Sequence, residues 1–477
     1  MKTSRTILML SYCMFLSYLS IGQQISFNAS EKVSDAFFQD YIGKVNDDTY
    51  ILASDMDLKN IYDMSHKLGF SQKGLIRLLK YNSKFDEPQS IALEFKYKVA
   101  ALTCCFLGSD NKVNIVYLGG EGKNIGFYED IFDLNGDNQS TNTITHVKMK
   151  SMFDMIPNLY SSANHSWFFY NQGSDAMVFD NNFKIVWQKE LNYLDKLAPV
   201  TVLDDGSIMA KMQKDKSDKA PKFLIKVGTD ENIKEIELDE NAQYEIDPSS
   251  KTINMITLTG DETKHKNDIK AKGYDLAIYN IADLSLIKKY TVPFSDDVLL
   301  KATNSRKIEH VKGISNLTLQ HVFLSGEGKE PLVILQEYEV IQQTYSSGAN
   351  SMSTSTTTYF NYGDIIITRI KDDGSTVQQI IDRKSSTLID KLPIASMFSA
   401  YQDGKIYILY NKGEFWKGKL ETYSFSKDME QLAHAEIDTY HDNDIFLDVR
   451  SAIKLTNDKY LILGSWGKKI GTAFLTL

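Results

Sequence analysis

Short apolar runs recur along the chain, each entered through a polar turn rich in Asp, Asn or Gly. Asn46-Asp47-Asp48 opens onto Thr49-Tyr50-Ile51-Leu52-Ala53, and Asp110-Asn111-Lys112 onto Val113-Asn114-Ile115-Val116-Tyr117. Asp204-Asp205-Gly206 leads into Ser207-Ile208-Met209-Ala210, and Asp403-Gly404 into Lys405-Ile406-Tyr407-Ile408-Leu409. The same unit surrounds Phe168, Met255, Ile334 and Ile462. Eight copies result, with strand centres at residues 51, 115, 168, 209, 255, 334, 408 and 462. Blade-type repeats run at about 40–50 residues, so most of these intervals fit once loops are allowed to grow.

A second β-like run follows each copy, as in Asp175-Ala176-Met177-Val178-Phe179-Asp180 and Lys222-Phe223-Leu224-Ile225-Lys226-Val227. A more polar run usually comes third, for example Ile233-Lys234-Glu235-Ile236-Glu237-Leu238. β-Branched and aromatic residues in imperfect alternation suit strands packed on both faces. Polarity that rises towards the end of each unit suits a strand at a solvent rim. The pattern predicts an all-β chain forming a single β-propeller of eight blades. Seven remains the alternative, because the interval from 168 to 209 is short and that from 255 to 334 is long. The eighth copy ends at Leu477 without a last strand, so residues 25–27 are expected to complete it and close the ring, hiding an otherwise open edge.

The first 22 residues have a different character. Lys2 and Arg5 precede an uncharged apolar run over residues 7–19, and Ser20-Ile21-Gly22 places small residues at a cleavage site. This is the layout of a secretory signal peptide, and the run is shorter than the roughly 20 residues a spanning helix needs. An uncleaved N-terminal anchor is the other reading. The expectation is a signal peptide over 1–22, a propeller over 23–477, and an exported protein, periplasmic or extracellular, with no stable membrane insertion after cleavage. Export matters for the cysteines. Cys13 leaves with the signal, and Cys104 and Cys105 are adjacent, so on a strand they point to opposite faces. They read as two small buried hydrophobes.

Two departures interrupt the repeat. Residues 57–69 space Leu58, Ile61, Met64 and Leu68 along one helical face, or else form an irregular hairpin. Residues 333–345 and 358–370 predict two long strands around the tip Ser346-Ser347-Gly348-Ala349-Asn350-Ser351-Met352 and the Ser/Thr run after it. At about 3.3 Å per residue each strand would reach roughly 43 Å, so a long hairpin insertion is expected at about 333–370. Gln336-Glu337-Tyr338, this insert, and Tyr359-Phe360-Asn361-Tyr362-Gly363-Asp364-Ile365-Ile366 resemble secreted Bacteroidota-type β-propeller proteins of uncharacterised function. The resemblance implies fold and export and transfers no catalytic residue.

A net charge of −9 over 477 residues excludes binding that depends on a basic surface, so no nucleic-acid partner is expected. The eight histidines include no pair at metal-ligand spacing on a helix. Asp133-Leu134-Asn135-Gly136-Asp137-Asn138 has a calcium-loop flavour, but Ile144 stands where a bidentate Glu is needed, and a hairpin turn is the better reading. Asp438, Asp442, Asp444 and Asp448 form an acidic cluster that could hold calcium or a sugar, with solvated loop carboxylates as the default. No nucleophile elbow, P-loop or dinucleotide fingerprint occurs, so no cofactor, metal or catalytic residue is assigned. The expected function is non-catalytic binding or scaffolding of a protein or glycan partner through one disc face and the hairpin, with Tyr345, Tyr359, Phe360 and Tyr362 as contact aromatics. The alternative is a glycan-active hydrolase or lyase with carboxylates in the central channel.

Overall fold

The computed structural model describes residues 24–27, 37–54, 76–85, 88–121, 124–147, 158–195, 198, 200–215, 217, 220–262, 269–325, 330–346, 354–383, 385–388, 397–412, 419–438, 446–456, 458–466 and 469–477. These fold into eight antiparallel sheets, each a four-stranded meander in chain order, with one extra strand on the sixth. Seven blades run consecutively over residues 37–92, 98–146, 158–190, 201–238, 242–293, 317–381 and 397–437. The eighth takes three strands from 446–476 and its outermost from the other end of the chain. There Gln24–Phe27 pairs antiparallel with the final strand, Gln24 opposite Thr476 and Phe27 opposite Ala473. The chain is an eight-bladed β-propeller, closed by the fourth strand that the eighth repeat lacks at its own end.

The second strand of each blade shows why the ring holds. Successive side chains leave a strand on opposite faces. In blade 1, Tyr50 and Leu52 enter a core shared with Ile115 and Tyr117 of blade 2, while Ile51 and Ala53 enter one shared with Leu461 and Ile470 of blade 8. The same division repeats at every blade, giving eight apolar clusters, each between two neighbours. Cys105 lies in the cluster between blades 1 and 2 and Cys104 in that between blades 2 and 3. Both are buried with no disulfide between them, and burial pushes the Cys104 thiol up to about 12. Phe85 crosses the closing seam to meet Phe474 edge-on at 4.7 Å between ring centroids. Outer strands are exposed by contrast: in blade 4, Ile233–Leu238 buries only Leu238.

Among the described residues no ladder joins the inner strands of neighbouring blades, and side chains bridge them between blades 5 and 6. Gln243 donates to the Leu317 carbonyl at 2.8 Å and accepts from the Leu319 N–H at 2.6 Å. Two residues on, Glu245 accepts from the Val322 N–H at 2.6 Å and meets His321 Nδ1 at 2.9 Å.

A meander alternates its connections between the two disc faces. First-to-second and third-to-fourth strand turns share one face, and none of them exceeds seven residues. They are mostly Asx turns: Asp110, Asp133, Asp180, Asp230, Asp283 and Asp373 each accept the N–H two residues on. The Asp133 carboxylate also takes the Asp137 N–H at 3.0 Å, which makes the calcium-like segment a hairpin turn. Second-to-third and blade-to-blade connections share the other face and reach 23 residues between Pro293 and Leu317. The expected helix at 57–69 belongs to such a connection and lies outside the described residues, as do Asp442 and Asp444.

Two tests follow from closure and from the turns. A chain beginning at Asn28 lacks the closing strand, and about four net hydrogen bonds predict a loss of roughly 2–5 kcal/mol against one beginning at Gln23. Calorimetric unfolding and light scattering should register a lower Tm and more self-association. In the turn face, the Ser285 and Ser375 hydroxyls and N–H groups hold the Asp283 and Asp373 carboxyls below the usual range. Their contribution is complete above the unfolded aspartate value of about 3.9 and is lost as pH falls through the folded values. Asn accepts the same N–H without titrating, so D283N/D373N should match the native chain at pH 7 and lose less stability between pH 5 and 3.

Candidate functional site

The long hairpin is an extension of blade 6. Glu330–Ser346 and Thr354–Ile370 pair from Leu332 opposite Arg369 out to Ser346 opposite Thr354. The innermost strand of the blade ends at Leu317, opposite Glu337, and the outermost at Ile381, opposite Ile365. Beyond that line the ribbon leaves the blade, and nine residues, 338–346, carry it roughly 30 Å outward. A third strand, Ser385–Leu388, pairs with Tyr359–Tyr362 and braces its base. The tip at 347–353 lies outside the described residues.

A bulge marks the exit. Gln336 faces Ile365 and Tyr338 faces Tyr362, leaving Glu337 opposite both Gly363 and Asp364. Such a two-against-one step bends and twists a ribbon. Gly363 is required here, because a Cβ at that position would run into the Glu337 side chain. The open space lets the Glu337 carboxylate accept the Asp364 N–H at 3.1 Å. Asp364 in turn accepts the Arg383 N–H at 3.1 Å. The Arg383 side chain is fully buried, lies over the rings of Tyr362 and Tyr410 at 5.1 and 4.7 Å, and donates to the Asn411 carbonyl at 3.3 Å. Burial pushes its guanidinium down to about 10. One chain of contacts therefore ties the ribbon's root to blade 7.

The four aromatics proposed for contact separate on this ribbon. Tyr345 lies in its outer part, opposite Ser355. Tyr359, half-buried, stands between Ile341 and Leu388. Phe360, expected to be exposed, is buried, with its ring 6.2 Å from that of Tyr338. Tyr362 is half-buried between Tyr338 and Arg383. Phe360 and Tyr362 thus pack the ribbon's base, whereas Val340 beside them is 47% exposed.

Next to the root is a cleft of about 340 Å³ on the same face. Its wall is the connection from blade 5 to blade 6, which opens with a helix, Asp296–Ala302. Ser295 caps the helix by accepting the Val298 N–H at 3.3 Å, two aspartates occupy the first turn, and Val298 and Leu299 are buried in the core between blades 5 and 6. Further along, Ala271 and Ile314 exchange N–H···O bonds of 2.8 and 2.9 Å. Gly313, at φ +119°, allows this, since a Cβ there would meet the Lys270 carbonyl. The Lys270 ammonium donates to the Ser315 hydroxyl. Thr303, Ser305, His310, Lys312 and Glu337 complete the polar lining. Burial, with the Asp364 carboxylate adding to it, pushes the Glu337 carboxyl up to about 7, against the Asp364 N–H and Lys270. Among the described residues, no three His, Cys, Asp or Glu side chains gather as metal ligands, and no helix is long and apolar enough to cross a membrane.

Sequence reading missed this cleft because residues 270, 303–315 and 337 come from three separated segments. The Ser-Asp-Asp-Val-Leu-Leu-Lys stretch from Ser295 was a readable signal, a capping serine with acidic first turn and a terminal lysine.

No protein-family model matches the chain, and no curated protein matches its sequence. Among solved structures it is similar to a eukaryotic initiation factor, over 94% of this chain and 92% of that one, at 8% identity and a TM-score of 0.42. It is also similar to the Nup133 β-propeller domain of Vanderwaltozyma polyspora, over 93% and 99%, at 10% identity and a TM-score of 0.33. A protein of unknown function from Bacteroides caccae matches 46% of this chain and 77% of its own, at 10% identity and a TM-score of 0.25. Likenesses this distant say nothing of activity or partner, and the strand order itself establishes the fold.

Glu337 yields a prediction of unusual sign. Its carboxyl is raised in the folded chain, so between about pH 4.3 and about 7 the folded state holds the proton more tightly than the unfolded one. Stability contributed at this position therefore falls as pH rises through that window. E337Q should flatten this slope and raise Tm at pH 8 relative to the native chain, measured by differential scanning calorimetry from pH 4 to 8.

Proposed function

We propose that this protein is an exported, non-catalytic binding or scaffolding propeller that recognises a protein or glycan partner with its insertion-bearing face. One observation carries the reading: every long connection, the projecting ribbon and the cleft belong to one face, while the other is tiled with turns of seven residues or fewer. Turns that short serve the ring alone. Surface loops on a rigid scaffold are where recognition concentrates, and a braced ribbon about 30 Å long extends contact beyond the disc. Tyr345 and Tyr359, with exposed Val340 between the ribbon's base and tip, are the contact residues of this reading. The basic, apolar and small-residue order of residues 1–22 supports export, as does the resemblance to secreted Bacteroidota-type propellers.

The test shortens the ribbon without unseating it. Replacing residues 342–358 with Asn-Gly keeps Tyr359–Tyr362 on its third strand and supplies a two-residue hairpin turn. Affinity capture from envelope extracts of the native cells, followed by mass spectrometry, should lose its specific partner about tenfold or more, as when contact hot spots are removed, while thermal unfolding stays unchanged. Equal capture by the shortened chain would take the ribbon out of recognition.

A further inference from the structure

We propose that the cleft at the ribbon's root binds a monosaccharide-sized sugar acid, a ligand that brings one carboxylate together with several hydroxyl donors. This deepens the recognition reading by giving one part of that face a ligand class, and it does not need the ribbon's tip. The volume, about 340 Å³, lies at the small end of the range for ligand sites.

The lining decides the chemistry. Lys270 and Lys312 bring two ammonium groups to the lining, Ser305 and Ser315 two hydroxyls, His310 a ring nitrogen and Glu337 a carboxyl, with the Lys270 charge acting on Glu337 directly. Two lysines alone would suit any small anion. A carboxyl among them changes the requirement, because above about pH 7 it is ionised and then accepts hydrogen bonds and donates none. Phosphate or sulfate, itself almost wholly acceptor, would meet Glu337 as a like charge. A uronic acid satisfies both halves: its carboxylate takes the ammonium groups, and its ring hydroxyls donate to Glu337 and exchange hydrogen bonds with the serines. Half-buried Val311 and Ala302 add apolar surface against which the less polar face of a pyranose can lie.

The groups are held in place before any ligand arrives. Lys270 is tethered by Ser315, Glu337 by the Asp364 N–H, and the wall carrying Lys312 by the paired Ala271 and Ile314. Such preorganisation lowers the ordering cost of binding.

Titration calorimetry of the mature full-length chain at pH 8, where Glu337 is ionised, and at low salt, with D-glucuronate, D-galacturonate and N-acetylneuraminate beside D-glucose and inorganic phosphate, tests the assignment. Saturable binding of at least one sugar acid is expected, with glucose and phosphate each about tenfold weaker or more. K270Q/K312Q should weaken the sugar acid about tenfold or more, and K312Q alone, at an exposed position, provides the same reading if the double variant fails to fold. E337Q should narrow the margin over phosphate. No binding by any of the three acids, phosphate binding as tightly as they do, or full affinity in K312Q and K270Q/K312Q would overturn the proposal. The ribbon-shortened chain should retain sugar-acid affinity whether or not it captures a partner, so the two readings fail separately.

Discussion

Every blade has two apolar faces, and that single constraint shapes the molecule. A sheet buried on one side can rest on a helix layer; a sheet buried on both needs a neighbour on each. Eight such sheets in a row would leave two bare faces, and only a ring removes both. The cluster joining Ile51, Leu79 and Phe85 to Leu461 and Ile470 is where the first and last faces meet. Closure is reinforced by hydrogen bonds between segments far apart in the chain, because the strand at 24–27 supplies the outer edge of the sheet formed by 446–476. No disulfide joins the two buried cysteines of the described residues, so among those residues the ring is held by packing and strand pairing.

Closure also explains the asymmetry of the two faces. Turns on one side join strands that are hydrogen-bonded neighbours, so they need little length, and Asx geometry supplies it locally. Connections on the other side include those crossing from an outer strand to the next inner one, and length there costs little because loop-closure entropy grows slowly. Insertions collect where they leave the ring undisturbed. The ribbon shows the limit of that freedom. Where it leaves blade 6 its strands lose the blade's inner and outer strands, and the short strand Ser385–Leu388, the bulge at Glu337, the Asp364 link and buried Arg383 together hold its direction.

The repeat was legible because double-sided burial writes itself into sequence. The second and third strands must be apolar on both faces, so runs such as Ile406-Tyr407-Ile408-Leu409 stand out, and the Asx turn before them supplies punctuation. Outer strands were legible by contrast in polarity. Inner strands were not, since they carry weaker demands: one is only Thr201–Val202, and another, Ala242–Asp247, is half-buried throughout and mixes polar with apolar residues. The hairpin's length could be read from its β-branched runs, but not its burial. Phe360 and Tyr362 look like exposed aromatics until the strand Ser385–Leu388, itself too short and polar to announce, is seen against them.

The cleft illustrates a different kind of illegibility. Lys270 opens a third strand, Lys312 closes a crossover and Glu337 sits in a bulge, and none of these settings implies the others. What unites them is the need of two backbones to approach: Gly313 admits the crossover against Lys270, and Gly363 admits Glu337 against Asp364. Two missing Cβ atoms therefore shape the floor and one wall. A side chain at either position would displace the polar groups as well as the backbone, so the chemistry of the cleft and the packing of blades 5 and 6 are set by the same steric allowance. The ring supplies rigidity, and the glycines determine where that rigidity leaves room.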